Sequence, residues 1–213
     1  MNNNKEFFSI RPDEHFWGEI YHFMNSVVQP RPIAWISTLS GKGMFNLAPF
    51  SYFNICSMNP PVISNAIFYN RDGSEKDTLR NIKTTRKYVV GNVSFENVKN
   101  ANISSAPFGS EIDEFSEAKV SFIDRGSHEP RLIADSPVNF VCELNQTVKL
   151  GEGPGVGTLV LGNVKEIMLS KEISNIDWKK GLPPEIVKNV GRMGADYYTK
   201  TADLFQLGRP NKK

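Results

Sequence analysis

Apolar and polar positions change their period repeatedly along the chain, and each change marks a short element. Residues 1–25 are polar and aromatic, an arm with a short helix expected around residues 15–25. After Pro30-Arg31-Pro32, residues 33–39 form an apolar, β-branched run that reads as a strand. Ser40-Gly41-Lys42-Gly43 is a turn, because glycine supplies the positive φ that a tight hairpin needs. Apolar and aromatic residues resume over 44–57, so the first two strands should pair as a hairpin, which Asn59-Pro60-Pro61 ends. Residues 62–69 read as a third strand.

The pattern then changes in kind. Residues 70–75 are a polar loop, and Lys76-Asp77-Thr78-Leu79-Arg80-Asn81-Ile82 opens a helix, with Asp77 as natural N-cap and Leu79 and Ile82 on one buried face. Residues 88–95 form a fourth strand. Residues 96–122 carry acids and small residues around Phe108, Phe115 and Phe122, with helical spacing in places. Two long strands, 138–150 and 157–169, are joined by a glycine-rich segment, and 172–213 is irregular, Pro183-Pro184 preventing a long helix. Short turns, many strands and few long helices predict a mainly β, single-domain fold with flanking helices, its sheet an antiparallel barrel closed or nearly so. Strands and helices do not alternate regularly, which disfavours a doubly wound parallel sheet.

Composition narrows the partners. A formal charge of +2 over 213 residues is too small to argue for nucleic acid. The cluster Lys83, Arg86 and Lys87 reads as a solvated helix end. Aromatic residues reach 11%, so either the core is aromatic or something flat is bound. The first 19 residues carry charges and no continuous apolar run, unlike a secretory signal. No stretch approaches the roughly 20 apolar residues that cross a bilayer. Cys56 and Cys142 stand alone, without metal-ligand spacing, and read as buried thiols in a reducing compartment. The Asn-x-Ser/Thr triplets at Asn92, Asn102 and Asn145 then carry no meaning, and the expected location is the cytoplasm.

Several familiar chemistries find no support. Residues 151–157 lack the third glycine of G-x-G-x-x-G and precede a strand rather than a helix, so they form a hairpin loop. His15, His22 and His128 share no ligand spacing, and no metal site is expected. G-x-S-x-G is absent. Two segments remain. In the first, residues 30–38 are followed by Asn46-Leu47-Ala48-Pro49-Phe50-Ser51-Tyr52-Phe53-Asn54, where Pro49 interrupts the strand and amides and a hydroxyl lie next to Phe50, Tyr52 and Phe53. That mixture suits a flat heterocycle, whose edge needs hydrogen-bonding groups and whose faces need apolar cover; alone, it suits a bulged edge strand equally. In the second, Lys76-Asp77-Thr78 begins a helix, where free amides and the dipole favour phosphate, with Lys76 and the Thr78 hydroxyl adding a charge and a donor. Alone, that is an ordinary N-cap beside a lysine. Together the two are harder to dismiss.

On these residues the chain resembles the flavin reductase-like, FMN-binding split-barrel family. That family includes reductase components of two-component flavin monooxygenases, such as nitrilotriacetate monooxygenase component B, and the flavoredoxins. The resemblance is carried by residues 30–38, 46–54, Asn59-Pro60-Pro61, 76–82 and Gly191-Arg192-Met193-Gly194-Ala195-Asp196-Tyr197-Tyr198, in the family's order over roughly residues 20–200. It implies an FMN-binding split β-barrel, antiparallel and Greek-key-like, that forms a homodimer with flavin near the subunit interface. An arm (1–25), a barrel domain (26–170) and a C-terminal extension closing over the flavin (171–213) are then expected.

Carried over, the resemblance lays the flavin ring along Arg31, Pro32, Ile33, Ala34, Trp35, Ser37 and Thr38, and along Asn46, Leu47, Ala48, Pro49, Phe50, Ser51, Phe53 and Asn54. Lys76 and Thr78 meet the phosphate, Ser51 is a further donor, and Arg192 and Tyr197 close over the ring from the same or the partner chain. Ala195 stands where the family often shows a second glycine. The implied cofactor is FMN, or FAD, with NADH or NADPH as hydride donor, and no side chain is expected to act as acid or nucleophile. The implied activity is an NAD(P)H:flavin reductase supplying a partner monooxygenase. The alternatives are a flavoredoxin-like carrier that retains its FMN and a non-catalytic flavin-binding protein.

Overall fold

The computed structural model describes residues 7–153, 155–201 and 203–210. The run after Pro32 becomes a strand with both faces covered. Ala34 and Ile36 point into one apolar cluster, and Ile33 and Trp35 into another. Around it the chain forms α1 (Trp17–Val27), β1 (Arg31–Pro32), β2 (Ala34–Leu39), β3 (Phe45–Phe50), β4 (Phe53–Met58), β5 (Pro61–Phe68), α2 (Asp77–Thr85) and β6 (Lys87–Asn92). There follow α3 (Val98–Ile103), α4 (Glu114–Glu117), β7 (Phe122–Ile123), β8 (Leu132–Ile133), β9 (Val138–Lys149), β10 (Gly157–Leu169), α5 (Pro184–Val187), β11 (Val190–Arg192) and β12 (Tyr198–Lys200).

Seven strands make one antiparallel sheet in the order β3-β2-β6-β9-β10-β5-β4. It curls around a core of Ala34, Ile36, Ile63, Ile67, Tyr88, Val90, Leu144 and Val160, to which α2 adds Leu79 and Ile82. Register shifts at Leu161/Gly162 and Val164/Glu166 break the β9–β10 ladder, as bulges do where a long strand bends. The second cluster lies outside the sheet, where α3, α4 and the segment through Val120 and Ile133 cover Trp35 and Leu47. Far along the chain, β11 returns to pair with β1, Arg31 opposite Arg192 and Pro32 opposite Gly191, and β12 adds a third strand. No helix among the described residues is long and apolar enough to cross a membrane.

The structure departs from the sequence reading in several places. Residues 44–57 are two strands, because the chain turns away at Ser51 and Tyr52. Pro49 does not interrupt β3. It pairs with Trp35 and is tolerated because β3 is the sheet edge, with no second neighbour awaiting its missing N–H. Asp77 is the first helical residue rather than the N-cap, and Lys76 occupies the cap without a side-chain hydrogen bond. Arg86 is not merely solvated: it ends α2 in the left-handed region (φ 61°) and donates to the Leu144 carbonyl at 2.6 Å. Cys142 is buried, and burial pushes its thiol up to about 12. Cys56 is exposed, since it lies on the edge strand β4. The first helix runs to Val27, and the C-terminal stretch read as irregular supplies two strands.

Two backbone positions, Gly162 and Ala195, carry testable consequences. Tyr88 fills the barrel interior opposite Gly162, and a Cβ at 162 would collide with its hydroxyl, which has no hydrogen-bond partner among the described residues. Gly162→Ala is expected to cost about 3 kcal/mol of stability, near the upper end for overpacking. Part of that loss should return in Gly162→Ala/Tyr88→Phe, as read by urea unfolding; no recovery would mean the clash lies elsewhere. In the β11–β12 turn, Ala195 sits at φ 48°. Ala195→Gly relieves about 1–2 kcal/mol of left-handed strain and loses about 0.4–1 kcal/mol to a freer unfolded chain. The midpoint should therefore rise slightly.

Candidate functional site

A cleft of about 830 Å³ opens beside the edge strand β3. One wall is Asn46, Ala48, Pro49 and Phe50 of β3 with Ser51 and Tyr52 beyond it. The facing walls are Ala66 and Phe68 of β5, the 69–72 loop, and residues 104–108 after α3. Tyr52 stacks on Phe68 with ring centres 4.9 Å apart, and its hydroxyl donates to Asn25 Oδ1 at 2.8 Å, so this flat wall is held from behind by α1. The 104–108 segment is held too: the buried indole N–H of Trp35 donates to Ser104 Oγ at 2.9 Å.

At one end the cleft meets the N-terminus of α2, through Lys76, Asp77 and Thr78. Because Lys76 gives no side-chain cap, the first-turn amides have no side-chain acceptor from that residue, and the helix dipole points its positive end at the cleft. Asp77 is paired with Arg80, which offsets its charge, and Lys76 Nζ rests on Asn70 Oδ1 at 3.1 Å. Arg71 also lines this end and is exposed. The floor is polar and buried. Glu114, 7% exposed, accepts from Asn46 Nδ2 at 2.7 Å and Leu47 N at 2.9 Å, while Asn46 Oδ1 accepts from Thr78 Oγ1 at 2.7 Å. Burial pushes the Glu114 carboxyl above its usual range, and the neighbouring Asp113 pushes the same way. The hydrogen bonds from Leu47 and Asn46 oppose the shift.

The other end runs into a recess of about 180 Å³, sharing Pro49, Phe50 and Ser51 with the cleft and adding Ile33, Asn102, Arg192 and Tyr198. The Arg192 guanidinium lies 4.6 Å from the Tyr198 ring centre. Arg31 sits behind this recess, not in it. Its guanidinium donates to the carbonyls of Asn25 and Val28 at 2.9 Å each and of Met193 at 3.0 Å, with Nε 3.4 Å from Ser51 Oγ. It therefore ties the end of α1, the C-terminal turn and the cleft wall together.

The expected residues thus separate by face. Asn46, Ala48, Pro49, Phe50, Ser51, Lys76 and Thr78 meet in the cleft, and Ile33 and Arg192 line the adjoining recess. Ala34, Trp35, Ser37, Thr38 and Leu47 do not line it; they are buried in the two cores or between strands. Pro32, Phe53 and Asn54 face a separate apolar groove of about 920 Å³ on another side of the sheet. Tyr197 is 74% exposed and lines neither opening. In β2 the reason is that the strand's two faces are each covered by a separate core, leaving no side chain for the cleft. Sequence reading missed Tyr69, Arg71, residues 104–108, Glu114 and Tyr198. Phe108 and Glu114 lie in the unreadable 96–122 stretch and reach the cleft only by folding. Tyr198 stood one residue from a named tyrosine, and the β11–β12 pairing decides which faces inward.

The donor set fits a flat heterocycle with an anionic tail: an apolar and aromatic wall, amide and hydroxyl groups along it, and a lysine beside a helix tip. Among the described residues no cluster of three or more His, Cys, Asp and Glu could hold a metal ion.

Comparison with known proteins agrees with this geometry. Residues 24–183 match the flavin reductase like domain. A protein of Aquifex aeolicus is 31% identical over 182 residues, covering 85% of this chain and 89% of that one. Among solved structures, nitrilotriacetate monooxygenase component B from Bacillus cereus superimposes with a TM-score of 0.87 at 26% identity, covering 96% of this chain and 100% of that one. A split-barrel-domain protein from Shewanella frigidimarina shares the fold with a TM-score of 0.79 at 18% identity, covering 93% and 96%. The curled seven-stranded sheet is a split barrel, and the chain belongs to the flavin reductase-like family of oxidoreductases.

Proposed function

We propose that this chain is an NAD(P)H:flavin reductase that takes FMN into the β3 cleft and supplies reduced flavin to a partner monooxygenase. The observation that carries the reading is the joining, in one trough, of the flat wall at residues 48–52 to the open tip of α2. Phe50 and Pro49 would cover the ring, and Lys76 with the first-turn amides of α2 would hold the phosphate. The flavin supplies the hydride-accepting chemistry when bound. The protein contributes orientation, exclusion of water by the 104–108 segment and, from Arg192 at the far recess, a positive field. The family's monooxygenase component from Bacillus cereus supports the partner.

We also infer a homodimer in the cytoplasm. The groove lined by Phe53, Ile55, Met58, Ile167 and Trp178 leaves large apolar side chains exposed, which a second copy would cover. The free thiols Cys56 and Cys142 suit a reducing compartment.

Purified protein should oxidise NADH or NADPH rapidly only when free FMN is added. Turnover without added flavin, by a yellow protein, would favour the flavoredoxin-like alternative. A colourless protein that fails to quench added flavin would end both. Lys76→Ala with Thr78→Ala should weaken FMN about tenfold or more, the loss of a charge-assisted contact, and leave riboflavin nearly unchanged. Light scattering should give the mass of a dimer, and Met58→Asp should shift it toward the monomer.

A further inference from the structure

The hydrogen bonds under the helix tip run in one direction. Both oxygens of Glu114 are occupied by donors, Asn46 Nδ2 on Oε1 and Leu47 N on Oε2. With its nitrogen turned to Glu114, Asn46 faces the other way with Oδ1, an atom that only accepts. Thr78 Oγ1 at 2.7 Å and Thr38 Oγ1 at 3.2 Å both donate to it, and Asn81 Nδ2 donates to Thr38 Oγ1 at 3.1 Å. Thr78, 2% exposed, borders the cleft with its hydroxyl hydrogen directed to Asn46 and so not available to an anion at the tip.

A proton on Glu114 reverses the set. The neutral carboxyl still accepts from Leu47 N on one oxygen and donates from the other to Asn46 Oδ1, which requires the Asn46 amide to turn over. Asn46 Nδ2 then donates to Thr78 Oγ1 and toward Thr38, and the Thr78 O–H is released to the cleft. One proton is taken up, one carboxyl O–H bond forms, and the Thr78 hydroxyl turns from donating to Asn46 to accepting from it and donating to the cleft. The buried Thr38 hydroxyl loses its acceptor, so this arrangement holds only when an anion offsets the loss.

We propose that Glu114 and Asn46 are positioning residues that set the polarity of Thr78, so that phosphate binding at the α2 tip is coupled to proton uptake by Glu114. This rests on the FMN reading above. Burial already favours the neutral acid, and a bound phosphate adds negative charge in the same sense. The charged groups around it are Asp113 and Glu117 on α4's side with Arg131 against Asp113, Lys76, Asp77 and Arg80 on α2's, Arg71 and Asp72 in the loop before α2, and Lys42 in the β2–β3 turn; β3 itself contributes none. Asp77 is paired with Arg80 and Asp113 with Arg131, whereas the buried Glu114 has no cationic partner within ion-pair distance among the described residues and is held by hydrogen bonds alone.

Glu114→Gln tests this, because its amide can accept from Leu47 and donate to Asn46 permanently. Fluorescence quenching should show the wild-type affinity for FMN falling relative to Glu114→Gln as the pH rises from about 5 to about 8.5, by no more than about tenfold per pH unit, one proton's worth of linkage. The phosphate's own second ionisation near about 6 acts on both proteins and cancels in the ratio. The same ratio for riboflavin should stay level. A level ratio for FMN overturns the inference alone, whereas a wild-type protein that binds neither flavin overturns the FMN reading with it. Should Glu114→Gln not fold, calorimetry of the wild type in two buffers of different ionisation enthalpy decides. Within the range from about pH 5 to about pH 8.5, FMN binding should take up protons and riboflavin binding none; equal uptake for both, or none for either across that range, overturns it.

Discussion

Strand β2 has no face left for solvent. Its barrel side is packed by Leu79, Tyr88 and Val160 around Ala34 and Ile36, and its outer side by Phe115, Val120 and Ile133 around Trp35. Covering both faces of one strand with separate cores fixes the sheet, α2 and the 98–120 segment relative to one another. The cleft is a consequence. With β2 enclosed, the open positions belong to the edge strand β3, where side chains meet α2 on one side and the 104–108 segment on the other.

Polar groups caught at the margin of these cores are satisfied by one another. Glu114 is the hinge of that arrangement, yet it stands on a helix of four residues, too short to persist alone. Asp113 caps α4 by accepting from Phe115 N at 3.0 Å and is held by Arg131 at 2.7 Å. Arg131 in turn lies between the rings of Phe45 and Phe122, 3.6 Å from each centre, and reaches Asp124 at 3.1 Å. Its planar guanidinium can stack on two rings and pair with two carboxylates at once, which a lysine cannot do. The cleft floor is thus positioned from outside the cleft, through cation, cap and carboxylate in succession.

At the far end a second arginine, this one buried, acts similarly. Arg31 joins α1, the C-terminal turn and Ser51, so the segment around residues 190–200 is built into the site. For a family defined by handling flavin, this divides the labour: arginines hold the frame, and the residues in contact with the cleft are mostly small, aromatic or amide-bearing.

Local pattern was enough to establish most of the long strands, the β2–β3 turn, the helix beginning near Lys76 and the glycine-rich hairpin, and to single out the 46–52 segment and the helix tip that the fold brings to one cleft. Each depends on neighbours within a few residues: β-branched runs, glycines, a polar start before spaced apolar positions. What the pattern could not separate was face from face. Trp35 and Leu47 belong to the same motifs as Pro49 and Ser51, yet which side of a strand meets a ligand depends on what packs across it. Glu114, Phe108 and Tyr198 are brought to the cleft by contacts spanning tens of residues, and no local period announces them. Pro49 could lie in a strand only because that strand is an edge, and Cys56 could be exposed for the same reason; strand order is a property of the whole sheet, decided when distant segments compete to bury their apolar faces.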